Sequence, residues 1–224
     1  GPIDIDRLAA DLQTLVETLD LTRIVALGWS MGATVLWQMM ARFGHARFDG
    51  LIIEDMSPRI LNTEGWALGM STGMDIAGSG RAIEAMRSDW PAYAAAFAPR
   101  MFARGRAARE PEMVKDIVAR LSRRDGGAMA DIWLSMASSD LRAVLPDLNL
   151  PTLVISGERS EAYGPGTSRY LVDTLPDARS ITFAHSGHAP HLEEPEAFAR
   201  AVAHFAGRVH AAAVNNDNPE GNPS

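Results

Sequence analysis

The chain has 224 residues, 46% of them hydrophobic, with a formal net charge of −7 and a sequence pI of about 5.3. That size buries one substantial core and argues for one domain with an insertion, while the acidic balance argues against nucleic acid, whose binding rests on phosphate neutralisation. Cysteine is absent, which excludes disulfides and thiolate metal sites; with no visible signal peptide or apolar run of spanning length, a cytoplasmic location without membrane contact is expected.

Asp4 or Asp6 can cap a first helix over about 5–19, with Leu8, Leu12, Leu15, Val16 and Leu19 on one face. The apolar run Ile24 to Leu27 then reads as a short strand over about 23–28. It passes through Gly28-Trp29-Ser30-Met31-Gly32 directly into an amphipathic helix over about 31–43. Strand, sharp turn and helix put a serine at the apex. A hydroxyl is a poor nucleophile unless exposed and held against a base, and the glycines at 28 and 32 are expected to remove collisions around such a turn. The helix beginning near Met31 directs backbone N–H groups to the same point, which makes the Met31 N–H the candidate oxyanion donor. Gly69-Met70-Ser71-Thr72-Gly73 repeats the five-residue pattern. No strand precedes it and glycines interrupt residues 74–80 after it, so it predicts a flexible segment.

Gly44 closes the helix, and Gly50 to Asp55 forms a second strand. From Ser57-Pro58 to about Pro146 the alternation lapses into helical stretches over about 80–88, 90–97, 111–123 and 127–137. Pro151 to Gly157 is a third strand, followed by a helix over about 167–175 and a fourth strand from Ser180 to Phe183. Pro195 opens a last helix that ends near Phe205. Continuous apolar strands alternating with helices predict an α/β fold with a doubly wound, mostly parallel sheet. The expected organisation is a first core part over 1–57, an inserted helical lid over 58–146, a second core part over 147–207 and a disordered tail over 208–224.

A histidine loop follows the last strand, reading Ser186-Gly187-His188-Ala189-Pro190-His191-Leu192-Glu193-Glu194-Pro195. With Gly28-Trp29-Ser30-Met31-Gly32 upstream of it, the chain resembles the α/β-hydrolase superfamily, with carboxylesterase-like wording at both motifs. The resemblance implies Ser30 as nucleophile and His188 as the base that takes and returns its proton. The superfamily's usual acid lies after the penultimate strand, where this sequence has Ser160. Asp55, at the end of the strand after Ser30, resembles an alternative acid position and is preferred to Glu161 and Glu158; Glu54 takes its place if the register slips by one. The usual second oxyanion donor comes from a loop after an early strand, marked His-Gly. No such segment is visible, and the superfamily's first strands are expected to be absent, with Gly1-Pro2 as a tag scar or the edge of a fragment. His185, His188 and His191 are spaced by three, yet Gly187 and Pro190 fall between them and nothing completes a ligand set, so neither metal nor other cofactor is expected.

Eight of the eleven methionines lie between Met56 and Met136, beside Trp66, Trp90 and Trp133; such side chains suit an apolar acyl pocket or simple core packing. Trp29, Trp133 and His191 are the candidate substrate-contacting residues. Arg100, Arg104, Arg106 and Arg109 form a solvated face or a site for a carrier's phosphate or carboxylate. The expected activity is hydrolysis of a carboxylic ester or thioester through an acyl-serine, with a small-molecule ester or acyl substrate as partner. A cofactor-free perhydrolase or a carbon–carbon bond hydrolase would use the same residues. An inactive fragment binding a small apolar ligand is the non-enzymatic alternative, motivated by Ser160 and the missing strands.

Overall fold

In the computed structural model, residues 3–217 are described. Four parallel strands form the sheet, β1 (Ile24–Trp29), β2 (Phe48–Glu54), β3 (Thr152–Gly157) and β4 (Ala178–Phe183), in the order β1-β2-β3-β4. Helix α1 (Ile5–Thr18) precedes β1, and Asp4 caps it by accepting the Arg7 N–H. Helix α2 (Met31–Phe43) joins β1 to β2. Five α-helices lie between β2 and β3: α3 (Ile76–Ser88), α4 (Trp90–Phe97), α5 (Arg106–Arg109), α6 (Pro111–Leu121) and α7 (Gly126–Ser138), with short 3-10 turns at Ala98–Met101 and Leu145–Asp147. Helix α8 (Pro165–Thr174) joins β3 to β4, and α9 (Pro190–Glu193) and α10 (Pro195–Asp217) follow β4.

Successive strand residues face opposite sides, and the chain uses both sides. Leu51, Ile53 and Val154 pack into a core with α1, α2 and α8, while Ile52, Leu153 and Ile155 pack with Phe205 and Val209 of α10. Buried β2 and β3 have no polar face to expose, which is why they read as unbroken apolar runs. The inserted helices carry a small core of their own around Met86, Trp90, Ala94 and Ala130.

Two segments differ from the sequence expectation. α10 continues to Asp217, about three turns past Phe205, because alanine-rich residues 206–213 favour helix and Val209 anchors them on the sheet; the part of the expected tail over 218–224 lies outside the described residues, as does Gly1-Pro2. The second glycine–serine pattern is a tethered loop, not a loose one. Met70 N–H donates to Ile60 O, Ser71 N–H to Ala162 O, and the Asn62 side chain binds both Gly69 and Met70. Among the described residues, no helix is long and apolar enough to cross a membrane.

Candidate active site

Ser30 is the single residue between β1 and α2. Its φ of 50° and ψ of −121° are disfavoured for any residue with a side chain, so the turn is held in place by its surroundings. Ser30 N–H donates to Glu54 O at 3.0 Å, and Ala33 N–H donates to Ser30 O at 2.9 Å. Gly28 is required by close approach: a Cβ there would stand 2.6 Å from Ala33 N and 2.7 Å from the Gly32 carbonyl carbon. Gly32 is different, and the expectation that both glycines relieve collisions is corrected. A Cβ on Gly32 meets nothing within 4 Å; the residue borders the cavity beside Ser30. Met31 begins α2, where helix geometry leaves its N–H without an intrahelical acceptor.

Asp55 follows the last residue of β2 in a left-handed conformation, φ 45°, with its N–H on Ile155 O. Its Oδ2 lies 2.7 Å from His188 Nδ1 and accepts the Ser160 hydroxyl at 2.5 Å. An ionised carboxylate only accepts, so against one this bond requires the proton on Nδ1, the tautomer that keeps the Nε2 lone pair available. Ser160 Oγ in turn accepts the N–H groups of Ala162 and Tyr163. The serine in the usual acid place therefore hydrogen-bonds the Asp55 carboxyl. Burial, reinforced by the charge of Asp55, pushes the Tyr163 phenol up, and its hydroxyl rests on Met56 Sδ at 3.1 Å. Glu161 pairs with the exposed Arg104 at 3.2 Å, and Glu158 is exposed.

Two adjacent glutamates brace the loop carrying His188. Glu194 accepts the His185 N–H and the Ser186 hydroxyl. Glu193 accepts Gly187 N–H at 2.5 Å and, across the loop, Ala103 N–H of the inserted segment at 2.9 Å. Burial pushes the Glu193 carboxyl up, and those two backbone bonds pull against it. The backbones are stacked tightly here. A Cβ on Gly187 would fall 2.4 Å from Ala103 N, and one on Gly157 would fall 1.9 Å from Gly187 O.

Ser30 and His188 line a cavity of about 270 Å³ whose other walls, among them Met86, Trp90, Met129 and Trp133, come mostly from the inserted helices. A smaller space of about 80 Å³ meets the same two residues and carries Arg100 and Glu161.

The sequence profile of the "Alpha/beta hydrolase family" matches residues 1–201. This chain belongs to the alpha/beta hydrolase family. The AB hydrolase superfamily protein YisY of Bacillus subtilis (strain 168) is 25% identical over 203 residues, 90% of this chain and 73% of that protein. A pimeloyl-[acyl-carrier protein] methyl ester esterase of Stenotrophomonas maltophilia (strain K279a) is 39% identical over 70 residues, 31% of this chain and 27% of that protein. Among solved structures, a thermophilic esterase from Thermogutta terrifontis superposes with a TM-score of 0.80 at 27% identity, covering 94% of this chain and 74% of that one.

In this alpha/beta hydrolase the structure brings Ser30 and His188 to one cavity and hydrogen-bonds His188 to Asp55 rather than to Glu161 or Glu158. Trp133 lines both spaces, its indole N–H on Ser79 Oγ. Trp29 lines the larger one but gives its indole N–H to His188 O at 2.7 Å. His191, expected to contact substrate, lines neither; its Nδ1 sits 2.8 Å from Glu54 Oε1. Sequence reasoning gives Glu193 no role, since only the acidic pair before Pro195 marks it. Among the described residues, no group of three or more His, Asp or Glu side chains could hold a metal ion.

Proposed function

We propose that this alpha/beta hydrolase cleaves carboxylic esters or thioesters through an acyl intermediate on Ser30. The observation that carries the reading is the buried Asp55–His188 pair opening on the cavity that Ser30 borders. Ser30 Oγ attacks the carbonyl carbon while His188 Nε2 takes its proton, and the Met31 N–H receives the developing oxyanion. The intermediate collapses with return of that proton to the departing alkoxide or thiolate. Water, activated by the same imidazole, then releases the acid. Asp55 holds the imidazole in the required tautomer and stabilises its charged form. The hydrogen bond from Ser160 supports an active site over an inactive ligand-binding one, because the serine serves the acid instead of replacing it.

The two spaces suggest the substrate's orientation. An apolar cavity of about 150 Å³ holds a benzene ring, so the larger space takes an apolar acyl group nearly twice that size. The smaller space, with Arg100 and Glu161, suits a short alcohol or thiol leaving group. The methyl ester named for the Stenotrophomonas relative fits that division. The inserted helices act as a lid over both.

A fluorophosphonate probe followed by intact-mass measurement tests the reading. One label per chain, lost in Ser30→Ala, together with turnover of apolar acyl esters, is the expected result. An unlabelled, folded wild-type chain that hydrolyses no ester overturns it.

A further inference from the structure

Glu54 and Asp55 are consecutive, and each holds a histidine of the same loop by Nδ1. Asp55 takes His188, and Glu54 takes His191 at 2.8 Å. Glu54 is wholly buried, and the same Oε1 also accepts the His191 backbone N–H at 3.1 Å. Its Oε2 has no protein partner. A carboxylate sealed from water is costly unless paired, and an apolar residue would fill this strand end without that cost. The pair therefore asks for a use.

Trp29 supplies one. Its ring lies edge-on to His191 at 4.7 Å between centroids and tilted against His188 at 5.5 Å, so the indole is wedged between the two histidines. Its N–H donates to His188 O at 2.7 Å, across 159 positions of chain. In the sheet Trp29 is the register partner of Glu54, and it is the residue before Ser30. One indole thus joins the serine turn to the backbone of the histidine opposite. Its free side is held by an imidazole that Glu54 fixes at both its main-chain and ring nitrogens.

We propose that Trp29, locked in place by the Glu54–His191 pair, is a positioning residue that sets the distance between Ser30 and the imidazole of His188. The role rests on the acyl-serine reading for its effect on turnover, but not for its effect on the histidine. Displacement of a reacting group by about 1 Å costs on the order of a hundredfold in rate, so losing the indole bond while keeping the ring should lower kcat and spare substrate binding.

The experiment compares Trp29→Phe and Glu54→Gln with wild type. In Trp29→Phe, kcat for an apolar acyl ester should fall about ten- to a hundredfold with KM within about threefold and an unchanged melting temperature. A raised KM with intact kcat, or no change in either, would show Trp29 to be a plain pocket wall and overturn the proposal. Glu54→Gln replaces a carboxylate acceptor by a weaker amide one and should lower kcat in the same direction as Trp29→Phe, by a smaller factor and with KM within about threefold. Wild-type kcat in Glu54→Gln would show that the pair does not hold the indole, which also overturns it. The low-field proton resonance of His188 Nδ1–H on Asp55 gives a readout free of turnover. It should move or broaden in Trp29→Phe. If wild type neither labels nor hydrolyses any ester, the ester reading fails by itself, and the resonance alone decides: moved sustains the positioning role, unmoved ends it.

Discussion

Ser30 is held by close neighbours in sequence and by Glu54 O, 24 positions on, whereas Asp55 and His188 are held by partners 105 and 133 positions away. At the serine, a strand end, a close-packed Gly28 and the first turn of α2 define the backbone almost alone. At Asp55 and His188, β2, the turn after β3 and the loop after β4 must all arrive before any one side chain has its partner. The first site is a property of a short peptide placed on a sheet. The second exists only when the core is complete. Damage to the first should therefore act through local backbone strain, and damage to the second through the chemistry of a buried pair.

The largest expected effect is on the assembled side. Asp55→Asn should keep the contacts and lose the tautomer, lowering kcat by about four orders of magnitude, measured with circular dichroism to confirm an unchanged fold. Activity within tenfold of wild type would make Asp55 a strand-end residue and erase the contrast. The local side is sharpened by its two glycines. Gly28→Ala should destabilise the chain by about 1–3 kcal/mol, since the clash is with backbone that cannot swing aside. Gly32→Ala, in open space at the start of a helix, should be neutral or stabilising by up to about 1 kcal/mol. Urea unfolding of both variants measures the difference, and equal losses would refute the distinction drawn between the two positions.

The smallest effect concerns pH. Because burial raises the Glu193 carboxyl, the folded chain holds its proton more tightly than the unfolded chain does. Between the ordinary glutamate value near 4.5 and that raised value, stability contributed by this group should fall as pH increases. Glu193→Gln should remove that fall, seen as a flatter stability-against-pH curve across the window. An unchanged slope would show that Glu193 titrates as a surface group and braces nothing.

The same contrast explains how much is legible in the sequence. The four parallel strands, the serine turn and most helices leave a periodic or local signature, and each stands within a few residues of its expected place. Asp55 can be nominated by its strand end, but its hydrogen bond from Ser160, in the usual acid place, is visible only in the structure. The indole bond of Trp29 and the pairing of His191 with Glu54 are long-range contacts between polar atoms, which no pattern of apolar spacing encodes. His191 is the example: its neighbours in sequence place it beside the site, while its ring pairs with Glu54 and lines neither space. The tail departs differently, because an asparagine- and proline-rich end masks an alanine-rich helix before it.

The stacked backbones of Gly157, Gly187 and Ala103, with Glu193 as their rivet, also fasten the inserted segment to the histidine loop. An opening motion cannot begin there without breaking buried hydrogen bonds and separating main chains already in contact. Helix α6 packs Met113, Val114, Ile117 and Val118 against Phe102 and Ala189 at the same place, although it buries no residue fully. The inserted segment is thus riveted to the loop that carries His188, and separating the two costs buried hydrogen bonds.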